Sequence, residues 1–302
     1  MMRVDLEARE AGPLKAVGLV MHGGRHEAIA AARQVVTLLL DTGITVVGCA
    51  EDTWGPGMEG LDLRSRADFA EGLDVVLSMG GDGTFLRAAY WLRDYGVPLL
   101  GVNLGRLGFL SEVETAELPE AVHRLVARDF DVEERMTLEV EVIDRHSEVS
   151  ATSWALNEAS VERTVPQRLV VLEVNVGDVT FAHIPADAVI CATPTGSTAY
   201  AFSAGGPILS PLVDAILLVP VAPHTLFSRT LVVDPCETLS IRCIGGDNDC
   251  VVTCDGRETI AVPPGGWVRV GRGDRPVRLV RLRPFSFYER VRDKFGLKVS
   301  GS

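Results

Sequence analysis

Strand-like and helix-like stretches alternate over the first ~130 residues of the chain, and from Met136 onward strand-like runs follow one another with few helical segments between them. Lys15–Met21 is a short apolar run. Glu27–Leu40 carries apolar residues at helical spacing and stops before Gly43, a residue suited to closing a helix. Ile44–Cys49 reads as the next strand, followed by a Gly- and Pro-containing loop around Trp54–Gly60. Leu73–Met79 is a third strand, Phe85–Tyr95 a helix and Val97–Val102 a fourth strand. Helices between successive strands supply the crossovers that parallel pairing needs, so this half is expected to be a doubly wound, Rossmann-like α/β domain.

The second half offers Leu138–Ile143, Thr152–Val161, Leu169–Val176, Val189–Cys191, Ala215–Val219, Thr238–Cys243, Val251–Cys254, Val268–Val270 and Val277–Leu282 as strands. Such a succession predicts an antiparallel, β-sandwich-like domain. The expected boundaries are 1–134 for the α/β domain and 135–284 for the β-rich one. A terminal helix within 285–302, with Phe287, Val291 and Phe295 at four-residue spacing, is expected to dock back on the first domain.

Charge and composition narrow the partners. With 29 Lys+Arg against 41 Asp+Glu the formal charge is −12, which leaves no basic excess for neutralising nucleic-acid phosphates. The opening MMRVDLEARE places acids where a signal peptide has a basic region, so a cytoplasmic location is expected. The longest apolar stretch, Ala215–Ala222, is broken by Pro220 and is far shorter than the ~20 residues of a membrane span. Six cysteines without a CxxC pair read as reduced, packed thiols.

The chemistry concentrates in a few segments. Gly80-Gly81-Asp82-Gly83-Thr84 stands between an apolar strand and a helix. Glycines there permit positive φ and close ligand approach, and the amides opening the helix face an anion, for which phosphate is the natural candidate. Asp82 would repel a bare phosphate, so its place makes sense if it meets a hydroxyl or a divalent cation; a plain Gly-rich turn with a solvated aspartate is the structural alternative. The lysine of a Walker loop and the GxGxxG fingerprint are both missing. Gly23-Gly24-Arg25 ends the first strand, where Arg25 either reaches the same phosphates or is an ordinary exposed arginine.

Thr193-Pro194-Thr195-Gly196-Ser197-Thr198-Ala199-Tyr200, followed by Ser203, is rich in uncharged hydroxyls and turn formers, and suits ribose, amide and base edges or simply a Ser/Thr turn. Asn157-Glu158 interrupts an apolar strand; both residues can face one ligand at a strand end or bulge, or they form an exposed edge. Asp187 could accept from an amide or a ribose hydroxyl, or cap an element. His22 and His26 have no third metal ligand nearby in sequence, so no metal-ligating residue is assigned.

Taken in order, GGDGTFLRAA at 80–89, GVNLGRLGFL at 101–110, NE at 157–158, TPTGSTAYAFSAGGPI at 193–208 and CDGR at 254–257 resemble an NAD kinase over most of the chain. The resemblance implies phosphoryl transfer from ATP, or polyphosphate, to the 2′-hydroxyl of the adenosine ribose of NAD, with Mg²⁺ or another divalent cation accompanying the donor. It implies that Asp82 activates the ribose hydroxyl, that Gly81, Gly83 and Thr84 border the substrates, and that Phe109 lines the pocket. Asn157 would read adenine and Glu158 a ribose hydroxyl. Thr198, Ala199, Tyr200 and Ser203 would contact base, ribose or phosphate, and Asp187 the nicotinamide end. A homodimer or homotetramer is implied as well.

One departure from the family is Ala188, where glycine usually follows the aspartate; a Cβ there disfavours positive φ. Two rival readings are a lipid or sugar kinase built on the same GGDGT loop, which leaves TPTGSTAY without a task, and a non-catalytic NAD(P)-binding sensor, against which Asp82 counts.

Overall fold

The computed structural model describes residues 12–105, 108–164, 170–226, 228–244, 250–284 and 286–298. The acidic opening segment, residues 106 and 107 of GVNLGRLGFL, residue 169, and residues 285 and 299–302 of the terminal segment lie outside them. The chain divides into two units, Met1–Glu134 with Val277–Ser302, and Arg135–Pro276.

In the first unit, β1 (Ala16–Met21), α1 (His26–Leu40), β2 (Thr45–Cys49), β3 (Asp62–Arg64), β4 (Val75–Gly80), α2 (Asp82–Leu92), β5 (Leu99–Asn103), β6 (Val113–Glu114), α3 (Leu118–Val126) and β7 (Asp131–Arg135) follow one another. The sheet runs β3-β2-β1-β4-β5, with β6 beside β5, and these pairings are parallel. Apolar residues of α1 at Ala28, Ala31, Ala32, Val35, Val36 and Leu39 recur at helical spacing and are buried against the sheet together with α3. Strands buried on both faces explain the continuous apolar runs of β1 and β4, every residue of which is buried.

The second unit contains β8 (Leu138–Ile143), β9 (Val149–Ala155), β10 (Glu158–Arg163), β11 (Val170–Val176), β12 (Val179–Ala186), β13 (Ala188–Ala192), a single helical turn α4 (Tyr200–Ser203), β14 (Ile216–Val221), β15 (Leu231–Val233), β16 (Leu239–Ile244), β17 (Cys250–Cys254), β18 (Glu258–Val262) and β19 (Trp267–Arg272). They form two sheets, β15-β14-β13-β10-β17-β18 and β12-β11-β16-β19-β8-β9. Alternating residues of both, such as Val140 and Leu172 from one and Val161 and Val189 from the other, meet in one core.

Two expectations need correction. Thr152–Val161 is not one strand but β9 and β10, broken at Leu156-Asn157. The strand expected at Val277–Leu282 in the β-rich half is β20 (Val277–Arg281), which lies between β5 and β7 in the first sheet, pairing parallel with β5 at Leu279↔Leu99. The apolar run is the same in either sheet, so local pattern could not tell where its partner was. Arg281 explains the preference: buried, it meets Glu112 at 2.8 Å and Glu133 at 3.1 Å, two equally buried carboxylates of the first unit. A buried cation is tolerated only with such partners. The chain then closes with α5 (Phe287–Phe295), capped by Ser286 accepting from the Glu289 amide and ended by Gly296 at φ 63°.

The six cysteines are free thiols, with Cys236 exposed. Among the described residues, no helix is long and apolar enough to cross a membrane.

Candidate active site

Parallel strands β1, β4 and β5 release three loops at the same edge. Met21 is level with Met79, and Gly80 with Asn103, so Gly23–Arg25, Gly81–Thr84 and the segment after Asn103 leave the carboxyl ends of neighbouring strands. Open α/β sheets place their ligands there. Arg25 is the exposed residue preceding α1, in the loop that follows β1, the strand paired with β4.

The GGDGT segment departs from its sequence reading in one respect. Gly80, Gly81 and Gly83 are not among the residues with positive φ; Gly81 is extended at φ −102° and α2 already begins at Asp82. These glycines matter for lacking a Cβ. At Gly80 a Cβ would sit 2.3 Å from the Thr84 hydroxyl, whereas at Gly81 and Gly83 it would point into open space. The backbone there is bare to an approaching ligand, with the first amides of α2 beside it.

Asp82 occupies the first turn of α2, where its charge suits the helix dipole. Its carboxylate accepts from the amides of Phe109 at 3.0 Å and Leu110 at 3.2 Å, one to each oxygen. Gly108 lies so close that a Cβ would fall 2.0 Å from Oδ1. The loop following β5 therefore grips the aspartate by two charge-assisted bonds and leaves further lone pairs of each oxygen for a substrate. Asn103, buried at the end of β5, pins that loop by exchanging side-chain bonds with the backbone of Gly105 at 2.9 and 3.2 Å. Phe109, expected to line the pocket, packs its ring against those of Phe287 and Phe295, each 6.4 Å away. Asn103 and Gly108 were not singled out by the sequence beyond their presence in GVNLGRLGFL, and Phe287 and Phe295 were singled out as one face of a terminal helix with no link to Phe109.

In the second unit, Asn157 and Glu158 stand at the break between β9 and β10 and are both buried, which removes the exposed-edge alternative. Asp255 makes the corner: its Oδ2 accepts from the Leu156 amide at 2.9 Å and its Oδ1 from those of Asn157 at 2.8 Å and Glu158 at 3.1 Å. Lying 97 to 99 positions away in sequence and itself at φ 49°, Asp255 carried no local signal of this task.

The TPTGSTAY segment spends several of its hydroxyls internally. Thr193 donates to the Leu156 carbonyl at 2.6 Å, Ser197 to that of Pro194 at 2.6 Å and Thr198 to that of Thr195 at 3.2 Å. Gly196 lies against the same corner, where a Cβ would come 2.1 Å from the Asn157 carbonyl. The segment thus braces Asn157-Glu158 and turns its later residues outward; Thr198 and Ala199 are half-buried, Tyr200 and Ser203 exposed.

Glu158 receives a hydrogen bond from the Tyr200 amide, while burial, reinforced by the charge of Asp255, pushes its carboxyl up to about 8. Its Oε2 has no hydrogen-bond partner. Burial also raises Asp255, against the opposing pull of three amides and Arg257. Near neutrality Glu158 therefore holds a proton it can donate to a ligand oxygen. Because the folded chain binds this proton more tightly than the unfolded one, the contribution to stability is full below the unfolded value of 4.5 and falls as pH rises towards about 8. Glu158→Gln is expected to remove that slope, gaining a few °C in Tm over the parent near pH 8 and little near pH 5; thermal melts across that range check it.

Asp187 lies between β12 and β13, where no helix begins for it to cap, and pairs with Arg163 at 3.1 Å. Asp187 and Glu158 both act on the Tyr200 hydroxyl, whose pKa is raised by burial first and then by Glu162, Asp187 and Glu158. Glu158, Asp187 and Tyr200 are thereby brought into one neighbourhood. Ala188 lies within β13 and is not among the residues with positive φ, so its Cβ causes no backbone strain.

The chain matches the ATP-NAD kinase N-terminal domain over residues 62–130 and the ATP-NAD kinase C-terminal domain over 156–282. It is 45% identical over 293 residues to NAD kinase 2 of Streptomyces coelicolor, covering 95% of this chain and 96% of that one. It is 42% identical over 296 residues to an NAD kinase of Thermobifida fusca, covering 95% and 91%. Among solved structures, yeast NADH kinase complexed with NADH is similar in fold at a TM-score of 0.86 and 23% identity, covering 96% of this chain and 90% of that one. With sequence matches of this extent in both halves, the chain belongs to the NAD kinase family.

Proposed function

We propose that the protein transfers the terminal phosphoryl group of ATP, or of polyphosphate, to the 2′-hydroxyl of the adenosine ribose of NAD, giving NADP. The observation that carries this reading is the Asp82 carboxylate, fixed by the Phe109 and Leu110 amides beside the open backbone of Gly81 and Gly83. A sugar hydroxyl holds its proton far more tightly than a carboxylate does, so Asp82 orients the hydroxyl and takes its proton as the oxygen–phosphorus bond forms. The bond from phosphorus to the bridging oxygen breaks at the same time, and ADP leaves with that electron pair. Gly81, Gly83 and Thr84 border the phosphates, with Arg25 at the neighbouring strand end, and Phe109 backs the aspartate. Asn157 reads the adenine edge, the protonated Glu158 donates to a ribose oxygen, Thr198, Ala199, Tyr200 and Ser203 contact base, ribose or phosphate, and Asp187 meets the nicotinamide end. The family resemblance supports a homodimer or homotetramer.

Among the described residues, no group of three or more His, Cys, Asp or Glu is placed to hold a metal ion. Mg²⁺ commonly rides on substrate phosphates with one or two carboxylates and several waters, and Asp82 fits that mode. When bound, the ion neutralises charge on the transferred group.

Incubation with NAD, ATP and Mg²⁺, followed by an NADP-specific dehydrogenase, is expected to show NADP, and chelation with EDTA to cut its formation by ~100-fold or more. NAD binding without NADP from any donor would favour the sensor, and phosphorylation of a lipid or sugar in place of NAD the rival kinase.

A further inference from the structure

The loop that grips Asp82 is itself held from the far end of the chain. Arg290, on α5, donates from Nη1 to the Gly108 carbonyl at 3.3 Å, one residue before the two amides that fix the carboxylate. Beside it, the Phe109 ring is flanked by Phe287 and Phe295 of the same helix, and the Lys294 ammonium lies 5.7 Å from its centroid. Gly108 has no slack towards Asp82, since even a methyl group would collide with the carboxylate. A shift of the loop therefore becomes a shift of the aspartate. Burial lowers Arg290 from the usual guanidinium range, with Glu112 and Asp82 among the charges opposing this.

None of the α5 residues is fully buried. The helix adds little to the core. It is nonetheless capped at both ends, and Arg283, in the segment leading to it, is tied to Glu117 at 2.9 Å and to the Glu112 carbonyl at 3.2 Å. A well-terminated helix on a nearly exposed site, with its aromatic residues around one loop, serves that loop better than it serves stability.

We propose that Arg290 is a positioning residue for phosphoryl transfer, acting through Gly108–Leu110 to hold the Asp82 carboxylate in its reactive orientation. The inference rests on the role assigned to Asp82 above. A catalytic carboxylate displaced by about 1 Å loses on the order of 10²-fold in rate while substrate affinity is unaffected.

Arg290→Ala is expected to lower kcat by ~10- to 100-fold with KM for NAD within ~3-fold of the parent, and Arg290→Lys to restore most of the loss. Amide hydrogen exchange in the peptide covering 108–112 should quicken in Arg290→Ala while the β-rich unit is unchanged, showing that the chain remains folded. Normal kcat in Arg290→Ala beside an inactive Asp82→Asn would overturn the positioning role alone. Parallel loss of kcat, KM and Tm without rescue by lysine would also overturn it, in favour of a structural role. Full turnover in Asp82→Asn would remove the assignment of Asp82, and this inference with it.

Discussion

Asp82→Asn is expected to lower kcat by ~10²- to 10⁴-fold, the range over which a positioned general base contributes, while the dissociation constant for NAD stays within a few-fold. Asparagine keeps one acceptor oxygen and places an NH₂ where the second stood. Since Phe109 and Leu110 each donate to a different carboxylate oxygen, one amide would then face another donor. A loss of about 1–2 kcal/mol in stability accompanies the substitution for that reason, visible as a small fall in Tm and separable from the kinetic effect. Single-turnover kinetics and calorimetric titration of NAD on the same preparation provide the comparison, and a kcat close to that of the parent would show that Asp82 takes no proton.

The second large effect falls on the fold of the β-rich unit. Asp255→Ala strips the buried amides of Leu156, Asn157 and Glu158 of their common acceptor. Each unsatisfied buried donor costs about 1–3 kcal/mol, and alanine at φ 49° adds about 1 more, so a total of ~3–5 kcal/mol is expected even without full additivity. That is a large fraction of the ~5–15 kcal/mol that holds a domain folded. Asp255→Asn should be milder. It can keep the oxygen that serves Asn157 and Glu158, it tolerates the left-handed backbone, and by removing the charge it relieves the repulsion that raises Glu158. Urea unfolding of the two variants tests the order; equal stability of Asp255→Ala and the parent would refute the bracing role.

Elements with a clean period were legible in the sequence. The Ala28–Leu39 stripe of α1 and the apolar run of β4 declare a helix and a strand without reference to anything else. β7 was not legible: in Asp131–Arg135 the buried side chains include Glu133 and Arg135, so its inward face looks like a surface. β12 was missed for the complementary reason, because Val179 and Phe181 are exposed and blur the alternation. Helix α2 begins at Asp82 and not at Phe85, since Gly and Asp are poor helix formers in an interior but acceptable in a first turn.

For the site, backbone openness, a carboxylate and hydroxyl-rich turns are properties of short segments, so the sequence could mark GGDGT, Asn157-Glu158 and TPTGSTAY as candidate ligand-binding segments, and their chain order carried the resemblance to the NAD kinase family. Tertiary structure decided how those segments are held. The amides that fix Asp82 come from 27 and 28 residues further on, the acceptor for the Asn157-Glu158 corner from about a hundred, and the strand Val277–Arg281 crosses back to the first sheet to bury Arg281 between Glu112 and Glu133. Local composition sets which conformations a segment can adopt and which groups it can offer, but satisfying a buried donor, acceptor or charge needs a partner that only the folded chain brings within 3 Å.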